Sequence, residues 1–497
     1  MPALVDKLLA YARHHLDLAD DDLIYARNRL LEALGLDVYE PSPIDEETIK
    51  AMKVPDSLLE ELRDYVLINK RLSPIEAERL AGSIIGRLTP LPSQINRRFW
   101  SLYEKNPRQA TDYLYDLQIK NDYIKKTFVD TNIHWVARYP DNFLEITINM
   151  SKPEKNNADI AKLVKAAATG YPKCVLCEDN LGYYGRDGHA NRSNIRTINL
   201  TLDGEDWFFQ YSPYVYYDRH CIVIDKIHRP MEVSDRTIRK LLAFVEQFPH
   251  FFIGSNSDLP LVGGSILNHE HFQGGAHLMP MMHAKPGKEI KLKNADGVSC
   301  HILDWYNTAF IFESAHQDHL LAAIDRLITA WRIYDDASLD ILSHTDVQHN
   351  TATILARYHE GRYLVYVILR NNRKSAAYPE GIFHAHPEYH HIKSEGIGLI
   401  EAGGIFILPA RLKRQLHLIE TGLKDNRTVD EIIKASPDLA IHRTMIERLK
   451  THPGPDVKLQ ITQYVNDTCR AILDNTAVFK FDEAGRAGLT RFLAKVI

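Results

Sequence analysis

The feature that most constrains this chain is a change of hydrophobic period near residue 130. Before it, apolar residues recur at helical spacing: Leu4, Leu8, Leu9 and Ala12, then Leu58, Leu59, Leu62, Val66 and Leu67. Such spacing lays one apolar stripe along a helix. Pro41, Pro43 and Pro55 separate these helices, and Pro90 and Pro92 read as the end of the block. No chemical motif falls within it, so it reads as a packing or oligomerisation layer. After it, Phe143–Met150 alternates as a half-buried strand does. Trp207–Tyr217 is aromatic-rich and interrupted by Pro213, and Cys221–Ile224 reads as a short buried strand. A helix over Asp235–Gln247 and an extended piece from Phe251 follow. The last third repeats the pattern, with strands over Tyr363–Leu369 and Gly403–Leu408 and amphipathic helices from Leu412 onward. An α+β fold is expected.

Composition sets outer limits. A chain of 497 residues exceeds one core of ordinary size, and 45% hydrophobic with 25% charged residues is a globular balance. No stretch approaches 18 uninterrupted apolar residues, so no membrane partner is expected. Sixty basic residues against sixty-five acidic leave a net charge of -5, which disfavours a nucleic-acid partner. The N-terminus carries acids and His14-His15 where a signal peptide needs a basic start and an apolar centre. With five scattered cysteines, this points to a reducing, cytoplasmic location. The 24 histidines are the unusual count, and several cluster beside Cys, Glu and Gly.

Cys174-Val-Leu-Cys177 has the spacing that lets two thiolates hold one tetrahedral metal. A thioredoxin-like redox pair is the rival, weakened because Glu178-Asp-Asn-Leu-Gly-Tyr looks like a loop, not a thiol-activating helix start. His228 and His269 would complete a Cys2His2 set; isolated core thiols with surface histidines are the alternative. The densest cluster is Ser265-Ile-Leu-Asn-His269-Glu-His271-Phe-Gln273-Gly-Gly. If extended, it sets His269, His271 and Gln273 on one face. A neutral imidazole can attack phosphorus, an amide can donate to phosphoryl oxygens, and glycines let backbone approach phosphate. A glycine turn with solvated histidines is the bland reading of the same residues. Arg97, Arg98, Arg192 and Arg196 are candidate phosphate clamps. His14-His15 and His390-His391 read as solvated surface pairs.

Cys174-x-x-Cys177, then Cys221-Ile-Val-Ile-Asp-Lys-Ile-His228-Arg-Pro-Met, then His269-Glu-His271-Phe-Gln273-Gly-Gly together resemble the galactose-1-phosphate uridylyltransferase family of the histidine-triad superfamily. Glu270 where the commoner branch has proline, Gly185–Arg196 and the tyrosine-rich stretch to Tyr217 are similar to its second, mostly bacterial, class. The resemblance implies two histidine-triad-like halves with antiparallel sheets and packed helices, over residues 111–300 and 301–497, behind a helical extension over 1–110. It implies UMP transfer from UDP-glucose to galactose 1-phosphate in galactose catabolism, through His271 as nucleophile and Gln273 as phosphate donor. Structural zinc on Cys174, Cys177, His228 and His269 is implied, and Asn256 and Ser265 fall where the family contacts phosphate, on a slightly longer spacing. Arg192 and Arg196 join them as candidate substrate contacts. His384-Ala-His386, with His349 and Glu289, resembles a second divalent-metal set of the commoner branch. A homodimer is expected. The alternatives are another histidine-triad nucleotidyl transferase, a dinucleoside polyphosphate phosphorylase, or a zinc-stabilised nucleotide-binding protein.

Overall fold

Prolines in the N-terminal layer start helices as well as separating them. Pro74, Pro92 and Pro107 open the helices Pro74–Leu88, Pro92–Tyr103 and Pro107–Lys120. A proline loses little there, because first-turn N–H groups have no intrahelical partner and its φ is already helical. Ser73 adds a capping box: its N–H donates to the Glu76 carboxylate at 2.8 Å, and its hydroxyl accepts from the Glu76 N–H. The expected end of the layer at Pro90 and Pro92 therefore gives way to further helix. The boundary at residue 110 falls inside Pro107–Lys120, and a separate short helix, Lys126–Val129, follows.

The computed structural model describes residues 2–150, 170–186, 188–293 and 295–496. The chain forms two compact units, Met1–Thr131 with Ala167–His228, and Asn132–Ala166 with Arg229–Ile497. In the first, the helices Pro2–His15, Leu23–Leu34, Asp56–Lys70 and Pro74–Leu88 pack together. They bury Leu8, Leu30, Leu62 and Ile84. Helix Pro92–Tyr103 lies on a three-stranded antiparallel meander of Ile198–Leu202, Glu205–Tyr211 and Cys221–Asp225. Asn121 and Asn194 lock helix to loop, each side-chain amide donating to the other's backbone carbonyl at 2.6 and 2.9 Å.

The second unit holds an antiparallel run of seven strands: β1 Phe252–Ser255, β2 His271–Gly275, β3 Pro286–Glu289, β4 Ser299–Leu303, β5 Ala309–Ser314, β6 Asn350–His359 and β7 Arg362–Asn371. Their spatial order is β2-β1-β6-β7-β5-β4-β3. A division at residue 300 would cut through β4, so the expected halves 111–300 and 301–497 do not coincide with the compact units. Helices Asp235–Gln247 and Gln317–Arg332 pack on β6, burying Leu241, Phe244, Leu327 and Trp331. The Trp331 indole N–H donates to the Thr351 carbonyl at 2.8 Å, so the large ring is buried without an orphaned donor. A smaller mixed sheet pairs Ile133–Arg138 antiparallel with Phe143–Asn149, and the latter parallel with Ile405–Pro409.

Candidate functional site

In the first unit Cys174 and Cys177 lie in a tight turn, and His228 follows the strand Cys221–Asp225. The two sulfurs are 3.5 Å apart, and Cys177 Sγ lies 3.1 Å from His228 Nδ1. A disulfide needs about 2.05 Å. Two thiolates at about 2.3 Å from one tetrahedral ion stand about 3.7 Å apart, so the observed spacing is that of ligands to one metal. Both cysteines are buried, and these donor atoms could hold a metal ion. The Cys174 thiol is pushed well up by its hydrogen bond with Cys177 and by burial. It is not the lowered thiolate that a redox pair requires.

The turn itself is shaped by residues the sequence reading passed over. Asn180 Nδ2 donates to the carbonyls of Cys174 and Cys177, both at 2.8 Å. His189 Nε2 donates to Asn180 Oδ1 at 2.7 Å. Burial, then the Arg186 and Arg192 charges, lower the His189 pKa, so the ring is neutral with one N–H to spend on this bond. His189 belongs to the segment Gly185–Arg196, whose Asp187 lies outside the described residues.

In the second unit the expected extended cluster is shorter than read. Strand β2 begins at His271, while His269 sits in a bend before it. His271 is 5% exposed, and its Nδ1 lies 2.8 Å from the His269 carbonyl. A carbonyl only accepts, so Nδ1 carries the proton and Nε2 keeps its lone pair. Burial lowers the His271 pKa to about 4, against the raising effect of that bond, so the ring is neutral at physiological pH. Its backbone N–H reaches Met231 Sδ at 3.3 Å. Glu270, fully buried, points to the other side and pairs with Arg236 of helix Asp235–Gln247, while its N–H donates to the Arg229 carbonyl at 2.7 Å. A neutral imidazole is thus held by the two residues before it, through the His269 carbonyl and the anchoring of Glu270. His269 is also buried, in this unit and not with the cysteines' own segment.

The other expected residues divide sharply. Asn256, just past β1, is 2% exposed; its Oδ1 accepts from the Leu399 N–H at 2.8 Å, while Nδ2 is buried without a protein partner. Gly264 and Gly398 let the backbone close on it, since a Cβ at either would stand 3.0 Å from its amide group. Gln273 is half-buried in β2, Ser265 is exposed and Arg192 is half-buried beside the Tyr123 ring. Arg196 is a correction. Its guanidinium donates to the carbonyls of Gly86, Thr89, Pro90 and Ile195 at 2.7–2.8 Å and to Ser193 at 3.3 Å. It clamps backbone and keeps no N–H for a phosphate. Arg98 likewise faces Asp17 at 3.6 Å.

The second metal set is also corrected: His384, His386, His349 and Glu289 do not form a donor group among the described residues. His349 spends both nitrogens on Thr345 and Asn372, each at 2.7 Å. His386 donates to the Ile382 carbonyl at 3.0 Å and stacks on Tyr378, and Glu289 is exposed at the end of β3. His384 is fully buried beside Arg370, whose charge opposes a cation there. The pair His390-His391 is not a solvated one: His391 is 9% exposed, packed against His442 and Tyr464.

The family described as galactose-1-phosphate uridyl transferase, N-terminal domain, matches residues 17–230. Full-length relatives carry the likeness through the His271 strand. A galactose-1-phosphate uridylyltransferase of Clostridium perfringens (strain SM101 / Type A) is 37% identical over 492 residues, 99% of this chain and 98% of its own. One of Streptococcus pneumoniae (strain Hungary19A-6) is 39% identical over 506 residues, 99% of each. Among solved structures, yeast Ap4A phosphorylase Apa2 aligns with 61% of this chain and 91% of its own, at 12% identity and a TM-score of 0.31. No helix among the described residues is long and apolar enough to cross a membrane. With identity near two residues in five over its whole length, the chain belongs to the galactose-1-phosphate uridylyltransferase family.

Proposed function

We propose that this enzyme transfers UMP from UDP-glucose to galactose 1-phosphate through a uridylyl-His271 intermediate. The observation that carries the reading is the His271 tautomer: Nδ1–H is committed to the His269 carbonyl, leaving the Nε2 lone pair as nucleophile. In the first step Nε2 attacks the α-phosphorus in line with the departing group. The N–P bond forms as the P–O bond to glucose 1-phosphate breaks, and the electron pair leaves with that phosphate. The ring becomes cationic, and its hydrogen bond to the His269 carbonyl strengthens as it does. Gln273 is assigned to the phosphoryl oxygens. In the second step a phosphate oxygen of galactose 1-phosphate attacks phosphorus, the N–P bond breaks, and neutral His271 returns with UDP-galactose formed.

Cys174, Cys177 and His228 fit a metal by donor chemistry, and His269 is the proposed fourth ligand, with zinc the proposed ion. A set of four protein ligands closes the coordination shell, so zinc bound there braces the bend before β2. Intact-protein mass after incubation with UDP-glucose alone tests the reading. Wild type should gain one UMP and His271→Ala none, and galactose 1-phosphate should discharge the adduct. Turnover without any adduct would sink the double displacement; neither adduct nor turnover would leave a nucleotide-binding protein.

A further inference from the structure

Arg370, one residue before the end of β7, has no solvent exposure. Its Nη2 donates to the Ile397 carbonyl at 2.7 Å, while Nε and Nη1 are buried with no protein partner. Among the described residues no carboxylate pairs with it; the acid whose charge it feels, Glu401, is itself bonded to Lys393 at 2.9 Å. His384, fully buried, stands within reach of its charge, and its ring meets no other side chain in a hydrogen bond among the described residues. Asn256 adds an unpartnered amide nitrogen, and its Oδ1 binds Leu399 N–H, two residues from the carbonyl that holds Arg370. Two donor groups, the Arg370 guanidinium and the Asn256 amide, therefore meet at residues 397–399 with N–H groups unmet, while the nearest carboxylate, Glu401, is bonded to Lys393. A buried guanidinium in that state is costly unless an anion meets it.

The sheet register ties this cluster to the nucleophile. Gly254 of β1 opposes Gln273 of β2, so two further places set Asn256 across from His271. Ser255 opposes Ile354, and Thr351 opposes Arg370. Opposed residues, and residues two apart, share a face. His271, Asn256, Thr351 and Arg370 are therefore on one face, and the Thr351 hydroxyl bond to Asp258 at 2.5 Å agrees with that assignment. Arg370 lies three strands from His271, roughly 14 Å at the backbone, with Asn256 between them.

Resting on the uridylyl-transfer reading, we infer that Arg370 and His384, with Asn256, hold the phosphate that stays with the hexose. In-line attack sends the leaving phosphate to the side of phosphorus away from the imidazole. Donors beyond Asn256, as seen from His271, are where that phosphate arrives. The same subsite receives the phosphate of galactose 1-phosphate in the second step. One anion position thereby serves both sugar phosphates, as a two-step exchange at one centre requires.

The test separates this from the transfer itself. Wild type, Arg370→Met, Arg370→Lys and His384→Leu are charged with UDP-glucose, and discharge is timed over a series of galactose 1-phosphate concentrations. Half-saturation should rise ~10- to 100-fold in Arg370→Met and less in Arg370→Lys, which keeps the charge but not the fork. Calorimetric UMP affinity should stay within about twofold, because the transferred phosphate is held elsewhere. Unchanged half-saturation in a wild-type background that forms adduct overturns the inference alone, as does equal weakening of UMP and galactose 1-phosphate. Wild type without adduct overturns the transfer reading, and galactose 1-phosphate calorimetry on uncharged wild type and Arg370→Met then decides the anion site. If Arg370→Met does not fold, His384→Leu answers the same question.

Discussion

Two buried arginines, one in each compact unit, are treated in opposite ways. Arg196 is 4% exposed and donates to five backbone carbonyls; Arg370 is fully buried and donates to one. Burial pushes both pKa values down to about 10, so both stay charged at neutral pH. Charge and burial are thus matched, and only the supply of acceptors differs. Arg196 ties the end of helix Pro74–Leu88 to the loop that carries Asn191 and Ser193. Arg370 weakens the fold by holding donors unmet, a cost that folded chains tolerate where a ligand completes the network. Satisfied buried cations build scaffold, and unsatisfied ones mark where something binds.

The largest effect should come from the face that Arg370 shares. His271→Ala should lower kcat by about 10^4-fold or more while circular dichroism stays that of wild type, since the proposed attacking lone pair is lost. Residual activity within tenfold of wild type would dissociate the unsatisfied face from the chemistry. On the scaffold side, Cys177→Ser should abolish metal binding at the proposed site, measured by atomic emission, and cost about 3 kcal/mol or more of stability. Unaltered metal content would break the assignment of that turn. Arg196→Met should cost roughly 2–3 kcal/mol by denaturant titration, because several buried carbonyls lose their donor at once. Its half-saturation for galactose 1-phosphate should not move. A raised value there would return Arg196 to the substrate and erase the contrast with Arg370.

The sequence carried some of this and hid the rest for identifiable reasons. Helix Asp235–Gln247 was legible to the residue, and its Ile238, Leu241, Leu242 and Val245 recur at helical spacing on the buried side. The strand that carries His271 was legible from two histidines, a glutamine and a glycine pair. Its start at His271 was not, because the hydrogen bond that orients the ring runs to a carbonyl two residues back, which needs a bend instead of a strand. Arg196 and Arg192 look alike in sequence; only the spatial return of Gly86, Thr89 and Pro90 tells the clamp from the half-buried neighbour. Arg370 did leave a trace. Tyr363–Leu369 is apolar at successive positions, as in a strand covered on both faces, so the next residue was bound to be buried too. Proline was misread for a symmetrical reason: a residue that cannot continue a helix can still begin one.

His442 tests the same rule at its smallest scale, since one nitrogen is met and the other is not. Its Nε2 donates to Gln415 Oε1 at 3.1 Å, while Nδ1 is buried without a partner. Burial, then the His391 and Arg411 charges, push its pKa down to about 3, with Asp438 opposing. The unfolded ring titrates near 6.5, so as pH falls below that value the unfolded chain binds a proton that the folded chain refuses. Stability contributed by the neutral ring is complete above about pH 6.5 and drains away as pH drops toward 3. His391, lowered by burial and by the Arg411 and His390 charges, acts in the same direction. Between pH 7.5 and 5 the wild type should lose about 1–2 kcal/mol through His442, read from urea titrations. His442→Leu should lose less over the same interval, because an apolar side chain has no proton to be refused. An equal loss in the variant would mean that the unmet Nδ1 carries no penalty, and that the contrast drawn from Arg370 does not extend to neutral rings.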